Sequence, residues 1–260
     1  MSSAVDPLPL LAGALSYARE SRRAIAAPSN SYPGLTIDDA YAVQLCLIEA
    51  RIAAGAVVRG YKVGLTSAAM QAQFGIDQPD FGHLLDDMFF PEAQPIATAD
   101  FLQPKIEPEI AFVMGRELSG PVNTKQAEAA VDHVVPCLEL IDSRIENWRV
   151  KLVDTIADNA AAAGVILGAA PTRLSQLDLA AVSCHIEVGS AQDHGLGSAV
   201  MGSPINALVW LANTLGARGV SFAPGDVILA GALTAAITVV AGDRVSATFS
   251  ELGSVSAQLV

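Results

Sequence analysis

The stretch Pro104–Phe112, PKIEPEIAF, places two carboxylates two positions apart inside an otherwise apolar run. The residues that follow Pro108 are typical of a β-strand, in which positions i and i+2 point to the same face, so we expect Glu107 and Glu109 to lie side by side. Two unpaired carboxylates there would repel each other and would be costly to bury. The pattern therefore predicts a positive partner between them, either a lysine or a metal ion.

A third carboxylate, Glu139, interrupts a later apolar stretch, VVPCLELID, on the same predicted strand face as Cys137. Three carboxylates suit a hard divalent cation such as Mg²⁺ or Mn²⁺, because these ions prefer oxygen ligands. On spacing alone an equally good alternative is that the glutamates pair with basic residues, for which the candidates are Lys105, Arg116 and Arg144.

Composition limits the class of protein. The chain has 260 residues, 52% of them hydrophobic and only 16% charged, with a net charge of −12. This length predicts one large domain, or one domain with a helical appendage. An acidic chain without a Lys/Arg-rich run is not expected to bind nucleic acid, although a metal or local cations can receive an anionic substrate.

The cysteines and the apolar segments indicate a cytoplasmic protein. Cys46, Cys137 and Cys184 are odd in number and far apart, which is typical of free thiols in a reducing compartment. The first twenty residues lack a basic region and contain two prolines, so they do not predict a signal peptide. The uncharged stretch 227–242 is shorter than a membrane span and is expected to form two core strands.

The first hundred residues have mostly helical patterns. One face of a first helix carries Leu8, Leu11, Leu15 and Ala18. A second helix is predicted to begin after a Thr36 cap and to end at Gly55. Its expected buried stripe consists of Ile37, Tyr41, Leu45, Ile48 and Ile52.

From Val57 onward, short strand-like segments alternate irregularly with helices, which favours an α+β fold over a Rossmann fold or a TIM barrel. Helices are predicted at about 124–133 and from Pro204 to Gly216. Two strands joined by 241–243 are expected to form a hairpin whose inward residues are Val245, Ala247 and Phe249. We expect a helical region, 1–56, packed on a catalytic domain, 57–260, as one structural unit.

Several further residues have chemical potential, although an ordinary structural role is the better interpretation of each one alone. Lys62 lies between glycines in GYKVGLTS, where burial would suit it for proton transfer. Asp80 and His83 lie in QPDFGHLLDD, a turn-like context. The segment 142–168 brings more polar residues close to an apolar strand, namely Asp142, Arg144, Lys151, Asp154, Asp158 and Asn159.

Together these motifs resemble a family. The segments YKVGLTS, QPDFGHLLDDM, QPKIEPEIAFV, PCLELIDSRIENW and DTIADNA, with the terminal GDRV and LGSVSAQ, are similar to the 2-hydroxypenta-2,4-dienoate (2-keto-4-pentenoate) hydratases and the 4-oxalocrotonate decarboxylases. The resemblance covers nearly the whole chain. It implies the fumarylacetoacetate hydrolase-like fold, a mixed β-sheet roll, here with an N-terminal helical region.

The resemblance also implies roles for particular residues. The family's three metal-binding glutamates fall on Glu107, Glu109 and Glu139, which makes a Mg²⁺ or Mn²⁺ ion the expected positive partner. The family's lysine falls on Lys62, and the aspartate of QPDFG falls on Asp80. The implied activity is that of a hydro-lyase in the meta-cleavage catabolism of aromatic compounds, adding water to a 2-hydroxy-2,4-dienoate to give a 4-hydroxy-2-oxo acid.

Other activities remain open at this stage. Within the family, the alternative is decarboxylation of a 2-oxo-hexenedioate. Outside it, the chain could be a non-catalytic metal-binding homologue, although the lysine and all three glutamates are present. Hydrolysis of a carbon–carbon bond would require a histidine–glutamate pair, and no motif places a histidine in that role: the candidates are His133, His185 and His194.

The substrate's tail and the protein's partners are also open. Hydratases of the five-carbon dienoate often have serine where this chain has Ala161, and the segments 158–168 and 84–90 are more similar to hydratases of longer dicarboxylates such as 2-oxohept-4-ene-1,7-dioate. The resemblance implies a homo-oligomer, a pentamer or a decamer, and a pathway aldolase is a possible partner. Few charges and many apolar residues are compatible with large buried interfaces.

Overall fold

The computed structural model describes residues 7–67, 71, 78–92 and 94–260. The helices are α1 (Pro7–Ser21), α2 (Pro28–Ser31), α3 (Ile37–Ala53), α4 (Thr124–Ala130), α5 (Leu152–Ala157) and α6 (Pro204–Gly216). The strands are β1 (Val58–Gly64), β2 (Asp80–Leu85), β3 (Lys105–Met114), β4 (Val131–Ile141), β5 (Ala162–Leu167), β6 (Ser183–Val188), β7 (Ala191–Leu196), β8 (Val227–Ala232), β9 (Ile237–Thr238), β10 (Arg244–Phe249) and β11 (Gly253–Gln258).

Within the described residues, the strands form two sheets. The larger sheet has the order β2-β1-β8-β3-β4-β5, with β9 pairing to the start of β3. Strands β1 and β8 run parallel, whereas the other pairs in this sheet are antiparallel. The smaller sheet, β11-β10-β6-β7, is antiparallel throughout. Strands β10 and β11 lie against β4, so the two sheets share a core, and the predicted mixed α+β fold is confirmed.

The helix α3 begins as expected but buries a different face. The Thr36 hydroxyl accepts a hydrogen bond from the Asp39 amide, and the Asp39 carboxylate accepts one from the Thr36 amide. The predicted stripe is partly wrong, because Leu45 and Ile52 are each 45% exposed. The buried face is rotated toward Gln44, a polar residue that an apolar pattern does not count.

Two other boundaries differ from the expectation. The predicted helix at 124–133 ends at Ala130, where the β-branched Val131 begins β4. The hairpin joined by 241–243 is wrong, because β9 pairs with β3 while β10 pairs with β6 and β11. That turn crosses from one sheet to the other. The inward positions of β10 are nevertheless confirmed, since Val245, Ala247 and Phe249 are buried.

Several other expectations agree with the structure. The first helix buries Leu11, Leu15 and Ala18 as predicted, and α6 spans the predicted residues. All three cysteines are free. Among the described residues, we find no helix with the length and apolar character needed to cross a membrane.

Candidate metal and proton-transfer site

Three glutamates converge on one face of the larger sheet. In the antiparallel register of β3 and β4, Glu107 lies directly opposite Glu139, and Glu109 follows two positions later on the same face. Each of the three offers a carboxylate oxygen within 4.8 Å of those of the others. The strand alternation predicted from the sequence is therefore correct, and the pairing register brings Glu139 to the pair from thirty residues away.

The electrostatics of this cluster fit a cation. Burial and the nearby charge of Glu139 raise the pKa of Glu107 to about 7, and burial together with Glu139 raises the pKa of Glu109 well above its ordinary value. Both carboxylate oxygens of Glu139 are buried and accept no hydrogen bond from the described residues. Buried carboxylates that repel each other, one of them without a hydrogen-bond donor, suit a divalent ion, so the residues fit the metal that the motif implies.

The main chain of β8 holds one of the glutamates. The Gly231 amide donates a 2.7 Å hydrogen bond to Oε2 of Glu109. Gly231 has φ of +110°, a conformation that side chains rarely adopt, and a Cβ there would lie 2.3 Å from the Thr66 hydroxyl. Glycine at this position therefore allows β8 to pass close to Thr66 while its amide bonds to Glu109.

Lys62 projects from β1 into the same cluster. Its Nζ lies 3.3 Å from Oε2 of Glu139, as an ion pair without hydrogen-bond geometry, and donates a 3.0 Å hydrogen bond to the Ala160 carbonyl. Burial acts to lower the pKa of Lys62, but the charges of Glu139 and Asp80 outweigh it, so the pKa is raised above its ordinary value. The buried lysine is therefore an ammonium at neutral pH in the protein alone.

Asp80 lies beside Lys62 with one carboxylate oxygen held. The Thr155 hydroxyl donates a 3.1 Å hydrogen bond to Oδ2, whereas the buried Oδ1 has no hydrogen-bond partner among the described residues. Burial raises the pKa of Asp80, and the charge of Lys62 opposes that shift. A Cβ on Gly64 would lie 2.2 Å from Oδ1 and 3.4 Å from the Lys62 Nζ, so glycine leaves room beside both groups.

The other candidates have structural contacts. The turn-like context expected for Asp80 and His83 is wrong, because both lie in strand β2, and the His83 ring turns away to Gln44. Arg144 pairs with Asp158 rather than with a glutamate. The Lys105 amine lies 4.6 Å from the centre of the Trp148 ring. Among the described residues, neither Lys105 nor Arg144 forms an ion pair with a glutamate of the cluster, and the cation that does reach Glu139 is Lys62.

Other polar candidates stabilise loops and helix ends. The Asp142 carboxylate accepts hydrogen bonds from the Leu102 and Gln103 amides. The Asp154 carboxylate accepts bonds from the Ser29 amide and hydroxyl and from the Lys151 amide at the start of α5. These residues support the structure around the site without pointing into the cluster.

Three contributors were not predicted from the sequence. Thr155 holds Asp80, and the Ala160 carbonyl and the Gly231 amide hold Lys62 and Glu109. Two of these groups belong to the main chain, which every residue has, so the residue type at those positions does not indicate the hydrogen bond. Thr155 could have been singled out only from its place in the DTIADNA segment.

Comparison with known proteins adds independent information. The family described as "Fumarylacetoacetate (FAA) hydrolase C-terminal" matches residues 57–260. A 2-keto-4-pentenoate hydratase from Paraburkholderia xenovorans (strain LB400) is 43% identical over 94% of this chain and 91% of its own length. A 2-oxo-hept-4-ene-1,7-dioate hydratase from Escherichia coli is 42% identical over 96% of this chain and 97% of its own.

A solved structure matches the whole fold. The 4-oxalocrotonate decarboxylase from Pseudomonas putida G7, complexed with magnesium and adipate, superposes with a TM-score of 0.94 at 34% identity, covering 100% of this chain and 99% of that one. The same enzyme has also been solved complexed with calcium and acetate. A divalent cation therefore accompanies this fold in a close structural neighbour.

Proposed function

Because the chain belongs to the fumarylacetoacetate hydrolase family, we propose that it is a divalent-metal-dependent hydratase of aromatic meta-cleavage catabolism. It adds water to a 2-hydroxy-2,4-dienoate and gives a 4-hydroxy-2-oxo acid. The observation that carries this proposal is the convergence of Lys62 and Asp80 on the three-glutamate cluster, in a chain that is 43% and 42% identical to the two hydratases named above.

We assign the metal to Glu107, Glu109 and Glu139, with Mg²⁺ or Mn²⁺ as the ion. The support is the donor set, three buried carboxylates with hydrogen-bond acceptors to spare. When bound, such an ion supplies Lewis-acid stabilisation for negative charge on the substrate's C1 carboxylate and C2 oxygen. Small anionic substrates are thereby accommodated in a protein of net charge −12.

The protein's own groups carry the proton transfers. In ketonisation the C2 hydroxyl loses a proton and C5 gains one, and Lys62 moves that proton. The resulting 2-oxo-3-enoate accepts water at C4, because that carbon is conjugated with the carbonyl. Asp80 orients this water or takes its proton through Oδ1, the oxygen that Thr155 leaves free. Protonation at C3 completes the 4-hydroxy-2-oxo acid, which equals substrate plus one water.

A second candidate follows from the structural neighbour. The TM-score of 0.94 to a 4-oxalocrotonate decarboxylase favours loss of CO₂ from a 2-oxo-hexenedioate as the alternative reaction of the same site. That reaction would use the same electron-withdrawing environment but would not need a positioned water. We prefer hydration because the sequence relatives named above are hydratases at higher identity.

The deciding experiment adds purified protein and Mg²⁺ to freshly generated 2-hydroxypenta-2,4-dienoate, to its seven-carbon dicarboxylate analogue and to 4-oxalocrotonate. Loss of the dienol absorbance is followed, and the products are identified by NMR. Metal-dependent formation of a 4-hydroxy-2-oxo acid from either dienoate is the expected result, and the better substrate identifies the tail. The control is protein treated with EDTA and then restored with Mg²⁺.

Two outcomes would contradict the proposal. Release of CO₂ from 4-oxalocrotonate with no hydration of either dienoate would assign the protein as a decarboxylase. No reaction with any substrate, in protein that binds Mg²⁺, would favour a non-catalytic metal-binding homologue.

A further inference from the structure

Gln44 is a fully buried amide that lies outside the site but bonds to the elements that build it. It projects from α3 and has no exposed surface. Its Nε2 donates hydrogen bonds to the Phe81 carbonyl at 2.9 Å and to the Ile156 carbonyl at 2.8 Å. Its Oε1 lies 3.1 Å from Nδ1 of His83. Because Oε1 can only accept, Nδ1 is the protonated nitrogen of the His83 ring.

The two carbonyls that Gln44 binds are adjacent to the two residues that orient the free carboxylate oxygen. Phe81 follows Asp80 in β2, and Ile156 follows Thr155 in α5. Thr155 in turn donates to Oδ2 of Asp80. One side-chain amide therefore joins the strand that carries the carboxylate to the helix that carries its hydrogen-bond donor.

The same network continues to the acceptor of Lys62. The Asn159 side chain accepts from the His83 amide at 2.8 Å and donates to the His83 carbonyl at 2.9 Å. The next residue, Ala160, offers its carbonyl to Lys62. Asn159, Ala160 and Ala161 all have positive φ, between 49° and 57°, a backbone that non-glycine residues adopt only when their surroundings hold it.

We infer that Gln44 is a positioning residue, which fixes Asp80 against Thr155 so that Oδ1 faces the water that adds to the substrate. This inference rests on the proposed hydratase function and goes beyond it, because Gln44 contacts neither the substrate site nor the glutamates. A buried amide with both donors and its acceptor satisfied is rigid, whereas its loss removes the hydrogen bonds to both carbonyls and takes from the His83 N–H its partner in the Gln44 side chain. Asp80 would then lose its fixed position without losing its charge.

The test replaces Gln44 by methionine, which has a similar length but no hydrogen-bonding amide. In Gln44→Met we expect kcat for hydration to fall on the order of 10- to 100-fold with KM little changed, as a misplaced catalytic group predicts. Affinity for Mg²⁺, measured by calorimetry, should not change. In D₂O the variant should still incorporate deuterium at C5, because ketonisation depends on Lys62 rather than on Asp80.

A matched control and a double-mutant cycle distinguish positioning from general destabilisation. Asn213, on α6, is the control: its side chain accepts a hydrogen bond from the Val122 amide and donates one to the Val122 carbonyl, residues that are distant in sequence from the site. Asn213→Leu should therefore lower the free energy of unfolding and leave kcat unchanged. Thr155→Val removes the donor to Asp80. If Gln44 acts through that bond, combining Thr155→Val with Gln44→Met should lower kcat little further than either change alone.

Failure of this inference is distinguishable from failure of the proposed function. A wild-type protein that does not hydrate either dienoate would overturn the function. A wild-type protein that hydrates, with a folded Gln44→Met variant of unchanged kcat or with strictly additive effects in the cycle, would overturn the positioning role. If Gln44→Met does not fold, Gln44→Asn takes its place, because it keeps the amide but is one methylene too short to reach both carbonyls.

Discussion

Lys62 is the residue on which the proposed proton transfer depends most directly. Replacing it by methionine, Lys62→Met, keeps an unbranched side chain that is one atom shorter but removes the ammonium that lies against Glu139. We expect kcat to fall by roughly 10²- to 10⁴-fold, the usual contribution of a general acid or base. Binding of Mg²⁺ should persist, since no metal-ligating carboxylate is removed.

The control for this change is Lys125→Met on the exposed surface of α4, which should leave kcat unaltered. Steady-state kinetics and Mg²⁺ calorimetry on both variants check the prediction. Full turnover by Lys62→Met would show that the role assigned to this lysine is wrong.

Glu107→Gln tests the ligand assignment through two quantities, the melting temperature of the metal-free protein and the affinity for Mg²⁺. The change removes one charge from a buried cluster whose members raise each other's pKa, so metal-free protein should melt at a higher temperature. Affinity for Mg²⁺ should fall, because a neutral amide replaces a charged ligand. Calorimetry and thermal melts with and without Mg²⁺ measure both effects, and the exposed Glu117→Gln serves as the matched control. Unchanged Mg²⁺ affinity in Glu107→Gln would contradict the assignment.

At the scale of single residues, the sequence singles out the charged residues of the cluster but not the groups that form hydrogen bonds to them. The alternation of Glu107 and Glu109 and the candidacy of Glu139 follow from strand patterns, and the resemblance supplies the roles expected of Lys62 and Asp80. Gln44 was missed, although a polar residue three positions after Tyr41 on the predicted buried face was a usable signal. The main-chain donors could not have been found, because they depend on strand pairing across the sheet.

At the scale of elements, the approach of β1 to β2 requires glycine at one position. Gly64 pairs with Asp80, and an added Cβ would overlap Oδ1 of that carboxylate. We expect Gly64→Ala to displace the Asp80 side chain and to lower kcat by about 10²-fold or more. The control is Gly13→Ala in α1, where an added Cβ meets nothing within 4 Å. That control should stabilise the protein by about 0.5–1 kcal/mol, because alanine favours the helix.

Kinetics and denaturant melts on the two glycine variants check this prediction. Activity close to wild type in Gly64→Ala would mean that Asp80 has room to rearrange, and the close packing of the two strands would then be unimportant for the reaction.

The buried histidine of β2 makes stability depend on pH. Burial lowers the pKa of His83 from 6.5 to about 4, with the hydrogen bond to Asn159 opposing the shift. Between these values the unfolded chain binds a proton that the folded protein does not, so the free energy of unfolding decreases as the pH falls from 6.5 to 4. At about 1.4 kcal/mol per pKa unit, the loss reaches about 3 kcal/mol.

Denaturant melts across this pH range measure the effect. His83→Gln cannot titrate, so its stability should lose this component of the pH dependence, whereas the exposed His194→Gln should retain it. Parallel pH profiles for wild type and His83→Gln would contradict the expected protonation behaviour.

Element types were easier to predict than element partners. The segments around β3, β4, β8 and β10 were recognised as strands, because each is a short apolar run with turn residues at its ends. The hairpin expected at 241–243 was wrong, since nothing local distinguishes a turn within a sheet from a crossing between two sheets. The face of α3 was displaced for the same reason: the hydrogen bonds of Gln44 reach elements distant in sequence.

At the scale of the whole molecule, exposed apolar side chains accompany the helical region. Leu10 and Tyr17 on α1 are each 58% exposed, and Leu45 and Ile52 on α3 are also partly open to solvent. Together with the family resemblance, this predicts a homo-oligomer. Light scattering after gel filtration should give a mass of five or ten times the 26.9 kDa chain. A monomeric mass at micromolar concentration would contradict the expectation.

The parallel pairing of β1 with β8 has a consequence for the protein's synthesis. Residues near Gly60 hydrogen-bond with residues near Val227, so β1, which pairs with β2 on its other side, lacks its second partner until most of the chain has been translated. At about 5–20 residues per second, that wait lasts on the order of ten to thirty seconds. Ribosome-stalled chains that end before Val227 should therefore be more open to proteolysis at β1 than the full-length protein is.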